Sequence, residues 1–181
     1  MMVRAYVSIG SNIDPELNVR SAIAELARRF GELKLSSVYE SPAVGFDGGN
    51  FYNLVAGFDT DESAQEIARY LREIEHRRGR VKTVDRLADR PLDLDLLLYG
   101  DARIETPELA IPRPDITRYA FVLLPLAEIA PAERHPISGC SYAELWDAFD
   151  KRAQPLWPAP LSLEGLRNAP SARRQPRSPD P

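Results

Sequence analysis

The run 89-DRPLDLDLLLYGD-101 constrains the fold more than any other stretch. Leu92, Leu94, Leu96 and Leu98 alternate with Asp93, Asp95, Leu97 and Tyr99. A period of two predicts a strand with a leucine face and an aspartate-bearing face. At about 3.3 Å of rise per residue, the Cα atoms of Asp93 and Asp95 lie roughly 6.6 Å apart, and their carboxylates repel by about 2–3 kcal/mol at an effective dielectric of about 20. Aspartate is depleted in strands, so two on one face of a leucine-rich strand call for an offsetting partner. A divalent cation is one solution, because Mg²⁺ takes hard oxygen ligands and shares one or two carboxylates with substrate phosphates. A polar sheet face open to water is the other, and D-x-D alone does not separate the two.

The surrounding pattern is that of an α+β domain. Arg4–Ile9 reads as a first strand, followed by a turn at Gly10-Ser11-Asn12. Asp14 suits an N-cap and Pro15 the first helical position. The helix behind them brings Leu17, Ile23, Leu26, Ala27 and Phe30 toward one face and stops at Gly31. Residues 33–39 and 51–59 read as strands, separated by the Pro- and Gly-rich loop SPAVGFDGGN. A second helix over 62–78 buries Ile67, Leu71 and Ile74, with Arg77 and Arg78 complementing its dipole. The order β-α-β-β-α-β predicts a ferredoxin-like sandwich with helices on one face of the sheet. Additional C-terminal elements follow: a helix or strand over 121–129 and a short helix over 142–149. Composition turns to Pro, Ser and Arg near residue 150, dividing the chain into a domain over 1–150 and a disordered tail over 151–181, on which Leu156 and Trp157 are the residues placed to dock.

Bulk properties narrow the class. A net charge of −4 argues against a general nucleic-acid or membrane-surface binder. Cys140 is the single cysteine, which excludes an intrachain disulfide and a CxxC metal site and favours a reducing, cytoplasmic setting. No apolar run reaches the roughly 18–20 residues of a membrane span, and the N-terminus turns polar too early for a signal peptide.

Against that acidic background stands one basic segment. Residues 77–90 carry Arg77, Arg78, Arg80, Lys82, Arg86 and Arg90, offset by Asp85 and Asp89. A basic loop abutting a carboxylate pair is what a polyphosphate–metal complex requires. No GxxxxGK[ST] or GxGxxG occurs, so any nucleotide is held by side chains and metal. Phe51 and Asn53, two apart, offer an aromatic platform and an amide for a flat, hydrogen-bonding heterocycle. A core Phe and a turn Asn are the plainer alternative.

Taken together, YVSIGSN, SPAVG…FYNLV, EIEHRRGRV, DRPLDLDLLLYGD and FVLLPLAEIAP closely resemble the 6-hydroxymethyl-7,8-dihydropterin pyrophosphokinase family of folate biosynthesis, in unbroken order over residues 3–137. The resemblance implies an α-β-α sandwich and a Mg-dependent diphosphokinase that moves pyrophosphate from ATP to the pterin hydroxymethyl group, releasing AMP. It implies that Asp93 and Asp95 hold two Mg²⁺ ions, with Arg80, Lys82, Arg90 and Asp95 as the catalytic set. Ser41, Pro42, Val44, Phe51, Asn53 and Phe121 would bind the pterin, Phe51 and Phe121 sandwiching it. Glu75, Arg80, Lys82, Arg90, Arg113 and Arg118 would bind ATP, under lids at about 43–51 and 79–91. Other folate-pathway enzymes are the implied protein partners.

The chain departs from the family pattern over 113–119. Arg113-Pro114-Asp115 replaces the common His-Pro-Arg or His-aromatic, and Tyr119 stands where an arginine is usual, with Arg118 one position earlier. Leu87 fills a loop position often held by Trp. Arg113 and Arg118 are expected to take over the displaced cationic contacts. His76 reads as solvated and His135 as a turn residue. Two rivals share the scaffold: a two-metal nucleotidyltransferase or cyclase, and a non-catalytic ferredoxin-like ligand-binding module.

Overall fold

The computed structural model describes residues 1–79 and 89–167. Its first strand, β1 (Val3–Ser11), runs into α1 (Pro15–Phe30). Pro15 starts the helix as expected, but Asp14 sits in the left-handed region at φ 41° and its side chain caps nothing. The register of α1 also differs from expectation. Leu17 is 62% exposed, while Asn18, Val19, Ala22, Ile23 and Leu26 are buried. Asn18 Nδ2 donates to the Ile13 carbonyl at 2.7 Å, which satisfies a polar group at the buried edge of the first turn.

The expected strand over 33–39 is broken into β2 (Lys34–Leu35) and β3 (Tyr39–Ser41). Between them Ser36 Oγ accepts from the Val55 amide at 2.9 Å, so a side chain stands in for part of the ladder. The long strand β4 (Phe51–Thr60) follows, then α2 (Ala64–Arg77). Ser63 and Glu66 form a reciprocal capping box at the start of α2, and Gly79, at φ 87°, lies just beyond its C-cap.

After α2 come β5 (Asp93–Tyr99), a small ribbon of β6 (Ile104–Glu105) and β7 (Ala110–Ile111), then α3 (Asp115–Arg118), α4 (Ala120–Ile129) and α5 (Tyr142–Asp147). The described chain ends with β8 (Trp157–Pro158) and α6 (Glu164–Arg167). The main sheet runs β5-β1-β4-β3-β8 with β2 also on β4, and its pairs are antiparallel.

Helices cover both faces of this sheet rather than one. Ala5, Val7 and Ile9 of β1 and Leu54, Ala56 and Phe58 of β4 pack with α1 and α2 in one core. The residues between them, Tyr6 and Val55, point the other way into a second core with Leu123 and Leu126 of α4 and Tyr142 of α5. Each such fully buried large apolar side chain contributes about 1.5–3 kcal/mol.

The expected alternation of β5 holds only as far as Leu96. Val7 pairs with Leu96 but Tyr6 pairs with Leu98, so Leu97 is an extra residue in the ladder. This bulge reverses the faces beyond it. Leu94 and Leu96 join the α1/α2 core, Leu97 and Leu98 the α4/α5 core, and Tyr99 returns to the first.

The disordered tail expected from 151 is also corrected for its described part. β8 adds to the edge at β3 by pairing Tyr39 with Pro158 and Glu40 with Trp157. Leu163 is 4% exposed within the α1/α2 core. The folded body therefore reaches at least residue 167.

Candidate active site

The bare part of the sheet lies on the α4/α5 side, beside the ends of β5, β1 and β4. Strand pairing sets a row across it: Asp93 opposite Gly10, Gly10 opposite Asn53, Asn53 opposite Tyr39. The next row is Asp95, Ser8 and Val55. Asp93 and Asn53 are thus two strands apart, about 10 Å at ordinary sheet spacing. Gly10 leaves the floor between them low. A Cβ there would lie 3.5 Å from Asn53 Oδ1, 3.8 Å from Phe51 Cδ1 and 3.9 Å from Asp93 Cβ. The acid of β5 and the aromatic–amide pair of β4, far apart in sequence, meet around one glycine.

Each aspartate has an arginine. Arg90 Nη1 reaches Asp93 Oδ1 at 3.0 Å, and Arg113 Nη2 reaches Asp95 Oδ1 at 3.3 Å. The side chains of Asp93 and Asp95 keep 31% and 23% of their surface open. Arg113 is shared: its Nε also donates to Asp115 Oδ2 at 2.8 Å. Burial pulls the Arg113 pKa down, but Asp95 and Asp115 beside it outweigh that and hold it above the usual arginine range. The bulge helps to place it, because the Leu97 carbonyl accepts from the Arg113 amide at 2.9 Å. The repulsion of the Asp pair is therefore offset by arginine as the chain stands.

Arg118, the other expected substitute cation, is exposed, and its side chain makes no ion pair or hydrogen bond among the described residues. The structure does not bring it to the aspartates as it does Arg113. Arg80 and Lys82 lie outside the described residues, as does Leu87.

On the amide side, Asn53 is buried, and its Nδ2 donates to Ser41 Oγ at 2.9 Å and to the Tyr39 and Phe51 carbonyls at 3.3 Å. These bonds fix the amide so that Oδ1 faces the floor at Gly10. Ser41 is buried beneath it, whereas Pro42 and Val44 are exposed on the loop leading away. Phe51 is half-buried and meets Phe46 edge-on, ring centroids 6.3 Å apart. Phe121, in the first turn of α4, is half-buried and stacks on Tyr119 at 5.0 Å and 16°.

Glu75 is not an exposed helical charge. It is 3% exposed, and its Oε1 accepts from the Leu94 amide at 2.8 Å. β5 is a sheet edge, so this carboxylate satisfies a backbone donor between the two aspartates and ties α2 to the site strand. Glu75→Ala is expected to lower stability by about 1–3 kcal/mol because a buried amide loses its acceptor. Glu75→Gln, which keeps an acceptor, should recover most of that loss in urea unfolding.

Asn12 is a site-building residue that the sequence presented only as part of a turn. Its Oδ1 accepts from the Arg90 amide at 2.6 Å, and its Nδ2 donates to Asp89 Oδ1 at 2.6 Å and the Gly49 carbonyl at 3.3 Å. One amide thus joins the end of β1, the loop before Phe51 and the segment entering β5. Its place in Gly10-Ser11-Asn12, directly after a strand and beside the floor glycine, was the available signal. His76 is exposed, and His135 sits in a turn where its Nδ1 accepts from the Ile137 and Ser138 amides. Among the described residues no cluster of three or more His, Cys, Asp or Glu could hold a metal ion, and no helix is long and apolar enough to cross a membrane.

Comparison with known proteins places this geometry. The 2-amino-4-hydroxy-6-hydroxymethyldihydropteridine pyrophosphokinase of Synechocystis sp. is 39% identical over 163 residues, covering 88% of this chain and 82% of the relative. The Bacillus subtilis protein of the same description is 39% identical over 129 residues, covering 69% and 77%. The fold resembles that of wild-type Plasmodium falciparum HPPK-DHPS crystallised with pteroate, with a TM-score of 0.65 and 13% identity over 84% of this chain and 43% of that one. The sequence matches 7,8-dihydro-6-hydroxymethylpterin-pyrophosphokinase (HPPK) over residues 6–131. That span holds the aspartate strand, the floor at Gly10 and both aromatic segments, and the chain belongs to the HPPK family.

Proposed function

We propose that the chain transfers pyrophosphate from ATP to the hydroxymethyl group of 6-hydroxymethyl-7,8-dihydropterin, releasing AMP, as a step of folate biosynthesis. The observation that carries this reading for the chain's own residues is the meeting of Asp93, Asn53 and Phe51 around Gly10. It joins an anionic edge suited to metal and phosphate with a flat, amide-edged floor suited to a pterin. The strand order β5-β1-β4-β3 supports a ferredoxin-like arrangement, with β2 and β3 as one interrupted strand. The comparisons do not favour a nucleotidyltransferase, a cyclase or a non-catalytic module.

In this reading the ring of the pterin lies between Phe51 and Phe121, with its polar edge on Asn53 and Ser41 and its apolar rim against Pro42 and Val44. Asn53 Oδ1 is oriented by three bonds from its Nδ2 and accepts from a ring N–H. Asp93 and Asp95 fit two Mg²⁺ ions in donor chemistry, being two partly open carboxylates that offer hard oxygen ligands. Bound there, Mg²⁺ would neutralise phosphate charge and draw the pterin hydroxyl toward its alkoxide. Arg90 and Arg113, already beside the carboxylates, turn to phosphate oxygens, with Arg80, Lys82 and Arg118 completing the cationic set. Glu75 acts on the nucleotide side through β5.

The test is a reaction of purified chain with ATP, Mg²⁺ and the dihydropterin, resolving AMP from ADP and pyrophosphate. Pterin-dependent AMP is expected, and ADP as product would overturn the reading. Within it, Arg118→Ala should raise the KM for ATP by about fivefold, the scale of one charge-assisted contact, while kcat holds. An unchanged KM would leave Arg118 as a surface residue. A cytoplasmic setting and contact with other folate-pathway enzymes belong to the same proposal.

A further inference from the structure

Two side chains of the C-terminal segment, Gln154 and Trp157, hydrogen-bond next to the two aromatic segments at Phe121 and Phe51, from beyond the 6–131 span that matches the family. Gln154 Oε1 accepts from the Ala120 amide at 2.9 Å, and its Nε2 donates to the Arg118 carbonyl at 2.8 Å. Ala120 opens α4 and Arg118 closes α3. Both groups are helix-end orphans that nothing within their own helices satisfies, and Tyr119, the N-cap of α4, makes no side-chain cap. A single amide therefore spans the junction that carries Tyr119 and leads directly into Phe121.

Three residues on, Trp157 Nε1 donates to Glu40 Oε2 at 3.1 Å, and the other oxygen of Glu40 accepts from Asn50 Nδ2 at 3.1 Å. Asn50 immediately precedes Phe51. The backbone at Trp157, Pro158 and Ala159 is held to the sheet edge by the β3–β8 pairing and by the Ala159 amide on the Val38 carbonyl at 2.9 Å.

We infer that residues 154–158 are a positioning strap for the substrate site, Gln154 acting through the α3–α4 junction on Phe121 and Trp157 acting through Glu40 and Asn50 on Phe51. The inference rests on the proposed pterin site for its substrate, though not for its mechanics. Separation of the walls is set jointly by one five-residue segment, so loosening either end should cost ligand affinity without removing any group that contacts the phosphates.

The test uses full-length Gln154→Ala and Trp157→Phe, the latter keeping an aromatic ring but no N–H donor. Each is expected to raise the KM for the dihydropterin about fivefold, the scale of one lost hydrogen bond, while kcat stays within about twofold and, for Trp157→Phe, which lies away from Arg118, so does the KM for ATP. Gln154→Glu, which retains the acceptor for the Ala120 amide, should fall between wild type and Gln154→Ala. Amide hydrogen exchange is expected to quicken at 118–122 in the Gln154 variant and at 50–52 in the Trp157 variant. Unchanged pterin KM with unchanged local exchange overturns the strap. Uniform loss of kcat and both KM values with a lowered melting temperature also overturns it, leaving a general staple. If the wild-type chain makes no AMP from the dihydropterin, the functional reading fails, and the exchange measurement alone decides the strap.

Discussion

Asp95→Asn is expected to lower pyrophosphoryl transfer by at least about a hundredfold, because it removes charge from the point where metal and phosphate would meet. The substitution preserves shape and leaves an oxygen for Arg113. It does not strand that arginine, whose Nε stays on Asp115 at 2.8 Å. Folding should therefore be nearly unaffected, and the loss should appear in kcat for AMP release and in calorimetric binding of Mg²⁺–ATP. Asp93→Asn tests the same site from its other side, where Arg90 is the partner. If both variants bind Mg²⁺–ATP like wild type and Asp95→Asn turns over near normally, the metal assignment is lost.

Arg113 adds a condition to that prediction. A carboxylate already paired with a permanently charged arginine must release it, or share it, when a cation arrives. Asp115 supplies the second seat, so Arg113 can keep one bond while giving up the other. A histidine, the residue more common at this position in the resemblance, would not compete for Asp95 at neutral pH in the same way. The altered 113–119 segment thus bears directly on the carboxylate pair, a link that the sequence alone could not supply because Arg113 lies eighteen positions from Asp95.

Local chemistry explains which features were legible. The alternation at 92–96 identified a strand, and the Asp pair within it marked that strand as a candidate edge of the site. The bulge at Leu97 was not legible, since four apolar residues in succession fit either face. The break between β2 and β3 depends on Ser36 meeting β4, a long-range bond with no local signature. In α1, Leu17 is exposed against expectation and Asn18 is buried, because the buried stripe is set by where the helix lands on the sheet, not by hydrophobicity residue by residue. The Pro-rich composition after 150 concealed a folded segment held by contacts at Gln154, Trp157 and Leu163. Phe51 and Asn53 were recognisable as an aromatic–amide pair, yet their closeness to Asp93 came only from strand pairing through β1.

The floor residue gives the second large prediction. What Gly10 offers is space rather than backbone freedom, since its φ is not in the left-handed region. Gly10→Ala meets neighbours no nearer than 3.5 Å, an ordinary contact, so its fold and activity should stay close to wild type. Gly10→Leu adds three further carbons over the floor, between the amide of Asn53 and the carboxylate of Asp93. A ring held flat over that floor would lose its seat, and pterin affinity should fall by at least about a hundredfold, the scale of losing close packing together with a hydrogen bond. The side chain projects into the open site and not into either core, so the melting temperature should move little. With ATP proposed to bind on the aspartate and arginine side, its binding should be affected far less than pterin binding. Competitive titration of pterin and nucleotide against the Leu and Ala variants separates these effects. Equal loss of both ligands would mean that the floor at Gly10 supports the nucleotide as much as the pterin, and would reverse the assignment of the two halves of the site.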